Sequence, residues 1–393
     1  MVDAAGDPSA WAVAMQQLAA AGDRITALLH ERGEPGGRVD ASVALLGATM
    51  DAYLNQISAD PDFPTFVPCC GFFQHTGSPN PDTVYRRAAI DGAGTYRLTG
   101  ERGDARQVTI MAFAAPTKSG MASWPPFDLA DLTTGPDGRF DVLLGSERPP
   151  GHSGDWWPLE PGMASLWLRT VSDDWGNERE PHVAITRVDG PRRRGRPSGA
   201  GIEAKLRVLG TIVERTIAYG VRHVDELVDA GIVNDVKLVD YGANGGMPLQ
   251  WYHEGVFDLD DGEVLLLEAT LPPGCDYFSL SLTDRMFVTL DWVHAQTSLN
   301  RHQATVDDDG VLRVVVGADD PGVRNWMDTM GHERGVLQCR WIGSEAPPDV
   351  SVRVVSLASL AEHLPASTDR VTSEGRERAR HDRATGAQLR SLW

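Results

Sequence analysis

The chain has 393 residues, 41% of them apolar, with 41 Gly, 25 Pro and a formal net charge of −19. That size allows two domains or one large one, and the Gly and Pro content marks a globular fold rich in turns. The acidity argues against a nucleic-acid partner, which needs a positive field, and against docking on an anionic membrane.

No stretch reaches the roughly eighteen apolar residues of a membrane span, and MVDAAGDPSAW lacks the basic and apolar make-up of a secretory signal. Four cysteines (Cys69, Cys70, Cys275 and Cys339) are too few for a disulfide framework, so a reduced, cytoplasmic setting is expected. Residues 8–31 carry Trp11, Met15, Leu18, Ile25 and Leu28 at helical spacing behind Pro8. GEPGG breaks that helix. Asp40 then caps a second one, with an apolar stripe of Val43, Leu46, Met50, Tyr53, Leu54 and Ile57. Prolines 64, 68, 79 and 81 keep the following stretch extended as far as Val84. From there to Gly190 six candidate strands are separated by Gly, Pro and Asp, with PTKSGMASWPPFDLADL as a short helix or folded-over loop. The run RRRGR at 192–196 reads as a solvated linker.

Residues 198–231 make the clearest helix. Its stripe is Ile202, Leu206, Leu209, Val213, Ile217, Val221, Val224 and Leu227, and Gly231 stops it. Gly210 and Gly220 inside it require a kink or a close helix–sheet approach. A second β stretch follows from 251 to about 358. The basic tail TSEGRERARHDRATGAQLRSLW forms a mostly exposed amphipathic helix. Its arginine face is expected to offset local acidity or to pack on another subunit, which would make the tail the contact of a homo-oligomer.

The two β stretches are related. Asp309 to Trp341, DGVLRVVVGADDPGVRNWMDTMGHERGVLQCRW, has a twin at Asp137 to Thr170, DGRFDVLLGSERPPGHSGDWWPLEPGMASLWLRT. Each opens with Asp-Gly, runs through an apolar strand to a Gly, passes a Trp-bearing loop and returns in a strand ending in Arg. Flanking segments match as well (VYRRAAID with WYHEGVFD, QVTIMAF with YFSLSLTD), always close to 170 residues apart. The fold class expected is therefore α+β, mainly β: two tandem related antiparallel β-sandwiches, jelly-roll-like, joined by a central helix. The expected division is N-terminal helices (1–60), first sandwich (61–190), linker and central helix (191–248), second sandwich (249–360) and helical tail (361–393).

NPDTVYRRAAIDGAGTYRLTG resembles the opening of a bacterial domain of unknown function, 1254. YFSLSLTD, SLNRHQA and the Asp309–Trp341 stretch resemble its usual partner, domain of unknown function 1214. The likeness covers about 80 to 342 and is closer in the second half. It implies a soluble bacterial protein of β-sandwiches and helices, and it implies no reaction.

Two polar loops of the second unit carry the densest chemistry. His294, Gln296, Asn300, Arg301 and His302 lie in one; Asp319, Asp320, Asn325, Asp328 and His332 lie in the other. If the loops meet, His302 or His294 is the candidate proton carrier and Asp328 the group that orients it. Asn300, Asn325, Trp326 and Arg340 are then candidate substrate contacts, joined by Asn80, Asp82 and Tyr85 from the first unit. The competing reading is local: Asp-Pro-Gly and Asn-Pro-Asp-Thr are turn signatures, and Trp326 can fill core space. No metal-ligand spacing, nucleophile elbow, dinucleotide fingerprint or phosphate loop occurs, so no cofactor is expected. DLDD at 258–261 and DDWGNE at 173–178 share letters with terpene-cyclase magnesium motifs but sit at turn signals. The leading expectation is a small-molecule ligand, apolar with polar decoration (terpenoid, steroid or glycoside-like), bound near the seam of the units and transformed by acid–base chemistry. A non-catalytic binding or assembly module is the alternative, and a cyclase-like enzyme a second.

Overall fold

The computed structural model describes residues 9–31, 37–71, 74–117, 121–241 and 250–390. Strands are numbered in chain order. In the first unit one sheet runs Val67–Pro68 (β1), Thr83–Ala89 (β2), Met163–Val171 (β8), Gln107–Ala114 (β4) and Phe127–Asp128 (β5). The sheet facing it runs Asp155–Pro158 (β7), Arg139–Gly145 (β6), Tyr96–Glu101 (β3) and His182–Arg187 (β9).

The second unit repeats this order. One sheet runs Lys237–Val239 (β10), Gln250–Asp258 (β11), Arg334–Ile342 (β17), Tyr277–Thr283 (β13) and Ser298–Asn300 (β14). Its facing sheet runs Trp326–Asp328 (β16), Val311–Gly317 (β15), Glu263–Thr270 (β12) and Asp349–Ser356 (β18). Adding nine to every strand number of the first unit gives the second, so the duplication extends to topology. Among the described residues each unit has nine strands where the sequence suggests six, because the extra edge strands are two to four residues long and show no alternation. The sheets are antiparallel except for one parallel pair in each unit, β6 with β7 and β15 with β16.

Alternation places one side of each strand inside. Tyr96, Leu98, Val108, Ile110, Phe140, Val142, Leu144 and Leu166 fill the first sandwich. Phe257, Leu265, Leu267, Phe278, Leu280, Val314, Leu337 and Trp341 fill the second. Each such side chain contributes about 1.5–3 kcal/mol by leaving water, which makes each sandwich a core of its own.

Three helices cover the flank: Ala10–Glu31 (α1), Gly37–Ala52 (α2) and the central Gly199–Asp229 (α3). The break expected at GEPGG falls mostly on 32–36, outside the described residues. In α3 the buried residues Leu209, Val213, Ile217, Val221, Val224 and Leu227 are those of the expected stripe. Its two internal glycines mark close approaches. A Cβ on Gly210 would stand 2.7 Å from Gln17 Cβ of α1, and one on Gly220 would stand 2.0 Å from the Met286 carbonyl oxygen. In α2 the expected stripe is corrected. Ala41, Ala44, Ala48 and Ala52 are buried, while Val43, Leu46, Met50 and Tyr53 are exposed. Small side chains let α2 lie close to its neighbours, and proximity rather than side-chain size chose the inner face. Among the described residues no helix is long and apolar enough to cross a membrane.

The C-terminal helix Ser373–Leu389 (α4) is mostly exposed, and its arginine side offsets acidity within this chain, the first of the two expectations. Arg376, Arg383 and Arg390, seven residues apart, are 2, 7 and 8% exposed. Arg376 binds Asp320 through two bonds of 2.9 and 3.1 Å. Arg383 donates to the carbonyls of Trp292 and Ser298 and lies 4.9 Å from the Trp175 ring centre. Arg390 pairs with Glu180 at 2.9 Å and donates to the Pro81 and Asp82 carbonyls. Because Arg376 grips the second unit and Arg390 the first, α4 straps the two together.

Candidate functional site

The units meet through a buried polar network built from both. Asp82, 1% exposed, accepts from Trp175 Nε1 (2.9 Å), Tyr277 hydroxyl (2.8 Å) and Asn300 Nδ2 (2.7 Å). Asn80 Nδ2 donates to the Tyr277 oxygen at 2.8 Å, and its Oδ1 accepts from Ser279 at 2.9 Å. Burial pushes the Asp82 carboxyl up, against the pull of these donors and of Arg390. Such a network favours one docking of the units, since each polar atom is costly without its partner.

Beside it lies a cavity of about 440 Å³ between the first unit, α3 and the second unit. Strands β2 and β8 present Tyr85, Arg87, Trp167 and Arg169; β11 and β17 present Tyr252, Gln338 and Arg340. Helix α3 adds Ile212, Arg215, Thr216, Tyr219 and Arg222, and α2 adds Asp51. Among the described residues Asp51 is the only carboxylate of the lining, against five arginines. Burial pushes its carboxyl up to about 6, while the charge of Arg87 and a 2.9 Å bond from the Asn55 amide pull the other way. A carboxyl poised there can exchange a proton near neutral pH. Cys70 lines the same wall, and the thiol of buried Cys69 is pushed well up by desolvation.

Behind the opposite wall Glu254 is fully buried on β11. It accepts from His223 Nε2 at 2.8 Å, from Gln338 Nε2 at 3.0 Å and from the Tyr241 hydroxyl. Burial works to raise this carboxyl, but the His223 bond and charge and the other donors outweigh it and hold it below the usual range. Burial and the neighbouring Glu254 charge push the Tyr241 hydroxyl well up, so it keeps its proton.

Of the residues singled out from the sequence, Asn80, Tyr85 and Arg340 line this cavity. Asp82 and Asn300 sit behind it in the seam network. The two polar loops do meet: Asp328 N donates to the Gln296 carbonyl at 2.9 Å. The loops are braced rather than open, because Arg376 of α4 covers them and bonds Gln296 at 3.1 Å. Asn325 spends its amide on the Thr305 and Arg313 carbonyls, and Trp326 donates to the Gly317 carbonyl at 2.9 Å. Asp328 accepts from Met330 N, and burial raises its carboxyl. His294 is exposed and bonded to Asp291 at 2.9 Å. His302, also exposed, stands 3.8 Å from Asp174. His294, His302 and Asp328 thus lie outside the cavity lining. The Asp-rich turns have local partners: Asp258 pairs with Arg334, and Asp173 stands 3.8 Å from Arg106.

Residues 84–172 match the model of a family described as protein of unknown function (DUF1214). The match falls on the first unit, likened from its sequence to domain 1254, and not on the second half, where the closer likeness to 1214 is read. A search of curated proteins found no match. Among solved structures, an uncharacterized protein from Burkholderia cenocepacia is similar at 26% identity, with a TM-score of 0.82 over 89% of this chain and 97% of that one. A Vibrio parahaemolyticus protein is 11% identical, with a TM-score of 0.43 over 79% of this chain and 96% of that one.

Asp51, Arg87, Tyr219 and Tyr241 escape sequence reasoning because they converge from α2, β2, α3 and a loop. The signal that was present is the arginine ending each twin strand, Arg169 in LWLRT and Arg340 in LQCRW.

Proposed function

We propose that the chain binds a small molecule with an apolar body and polar groups in the seam cavity. The observation that carries this reading is the cavity itself. It has the size of a ligand site, lies between two rigid sandwiches, and mixes aromatic walls (Trp167, Tyr219, Tyr252) with converging polar groups. In this reading Asp51 is the proton carrier, since it is the carboxyl in the lining and its proton exchanges near pH 6. Asn80, Tyr85 and Arg340 serve as ligand contacts, and the setting is cytoplasmic.

A second reading, binding without turnover, is favoured by the Glu254 cluster. His223, Tyr241 and Gln338 all donate inward to Glu254, so their protons are committed to the wall.

Filling the cavity tests the proposal. Thr216 lines it from α3, and Thr216→Trp occupies its space. Native mass spectrometry of the purified protein, alone and with a metabolite extract, should show small molecules retained by the wild type and lost from the variant. Equal retention by both, with unchanged melting, would place the ligand elsewhere. Asp51→Asn then separates the readings: an enzyme keeps binding and loses turnover, whereas a binding module is unaffected.

A further inference from the structure

We infer that the ligand of the seam cavity is a small dianion, two carboxylates or one phosphate on an apolar body, held by a Tyr–Arg pair present once in each unit. This rests on the proposed cavity and names the chemistry it selects.

The duplication supplies the pair. In the first unit Tyr85 of β2 stands opposite Arg169 of β8; in the second, Tyr252 of β11 stands opposite Arg340 of β17. These strands are counterparts in the repeated topology, and all four side chains line the one cavity. Face-to-face docking of the two copies thus turns one strand-ending arginine into two guanidiniums around a shared space.

Both are buried and held in place. Arg169 is 8% exposed, its guanidinium carbon 5.9 Å from the Tyr85 ring centre, 5.7 Å from that of Phe113 and 6.0 Å from that of Trp167. Arg340 is 5% exposed and donates to Ser281 at 3.0 Å and to Ser78 and Gln338. These three partners of Arg340 are neutral, so they orient its charge without cancelling it. Burial raises the Tyr85 hydroxyl, and the charges of Arg340 and Arg169 both act against that rise. Arg87 stands near Asp51, while Arg215 and Arg222 lie on α3 at exposed positions of the lining.

Among the described residues five arginines against one carboxylate line this cavity, and with the buried Glu254 behind Gln338 counted as well they still leave it an excess of positive charge in a chain of formal net charge −19. Buried guanidinium favours a carboxylate or phosphate that can take two parallel N–H bonds, and low dielectric strengthens the preference. The surrounding acidity repels anions elsewhere on the surface, so the outer arginines can steer them to this one opening. Trp167, Ile212 and Met121 provide the apolar contact.

A naphthalene series tests this by calorimetry: the dicarboxylate, naphthyl phosphate, naphthoate and naphthol. One or both dianions should bind at least about tenfold more tightly than naphthoate and naphthol. Arg169→Gln and Arg340→Gln should each weaken dianion binding about 10- to 100-fold, the range of a lost charge-assisted bond, and leave naphthol within about twofold. Arg169→Lys should recover part of the loss, which guards against misfolding of the Gln variant. Equal binding of all four probes, or dianion binding indifferent to both Gln variants, overturns the inference. Thr216→Trp keeps the two claims apart: loss of every probe without a charge preference sinks only the dianion, whereas probe binding that survives cavity filling sinks the cavity reading itself.

Discussion

Replacing Asp284 by Asn should stabilise the protein above neutral pH and lose that advantage at about pH 5. Asp284 is buried in the turn between β13 and β14, where its Oδ1 accepts from Met286 N at 2.7 Å and Val288 N at 3.0 Å. Those bonds hold Phe287 at a φ of +61°, and Phe287 in turn packs 4.5 Å from the His223 ring and accepts at its carbonyl from Gly77 and Ser78. The turn therefore props the cavity wall at 77–80. Burial pushes the Asp284 carboxyl up to about 7, with Asp40 adding to the rise. Between the unfolded value near 4 and about 7 the native state holds a proton that the unfolded chain has released. Stability from this group is thus complete at low pH and lost as pH climbs through that window. At about 1.4 kcal/mol per pH unit the ionised form costs up to roughly 4 kcal/mol by pH 8. Asn keeps both acceptor bonds and removes the charge, but its buried NH₂ needs a partner, which costs about 1–3 kcal/mol. A net gain on the order of 2 kcal/mol is expected at about pH 8.5, shrinking to zero or a small loss at about pH 5. Urea unfolding of both proteins at the two pH values measures the difference. A difference independent of pH, or a loss at the higher pH, would refute the reasoning.

Tyr277→Phe removes the donor to Asp82 Oδ2 and the acceptor of Asn80. It should cost about 3 kcal/mol in urea unfolding, as expected for a hydrogen bond to a buried charge, and much less in an Asp82→Asn background. Arg390→Met leaves Glu180, a side chain 4% exposed, with only the charge of Arg86 in its favour, and should cost about 3 kcal/mol. Adding Glu180→Gln should recover much of that loss; no recovery would mean that the carbonyl bonds of Arg390, not its charge, hold the strap.

What the sequence could show depended on the physics behind each signal. The duplication was legible because turn residues and strand alternation recur together at a spacing near 170, and no local accident keeps both. The short edge strands were not, since two or three residues have no period. For α2, size misled: Leu46 and Met50 look like core, yet Ala44 and Ala48 are inside because only small residues let the helices close. In the tail the arginine face offsets acidity as expected, but which groups each arginine meets is not legible. Arginine is usually solvated, but Arg376, Arg383 and Arg390 each meet carbonyls and, at two of them, a carboxylate; that complementarity is tertiary. Their spacing of seven was the one local sign of a shared face. Of the residues lining the cavity, Arg340 stands out as a strand end, and Asn80 and Tyr85 through the turn signature Asn-Pro-Asp-Thr and the likeness it carries, whereas the histidine-rich loops stand out through composition alone.

The two copies also show how a symmetric scaffold acquires a direction. Two residues beyond the matched Tyr–Arg pairs, the first unit sets Arg87 opposite Trp167 and the second sets Glu254 opposite Gln338. Equivalent positions thus carry opposite charges. Each is tolerated because a different helix brings its counterpart: Asp51 of α2 for Arg87, His223 of α3 for Glu254. The helices, which are not duplicated, therefore break the symmetry that the sheets impose. One end of the cavity keeps a carboxyl that can exchange a proton near neutral pH, and the other buries its carboxylate beneath committed donors. A ligand gripped by the symmetric arginines would then meet a proton carrier on one side only, the condition for acid–base chemistry at a defined atom.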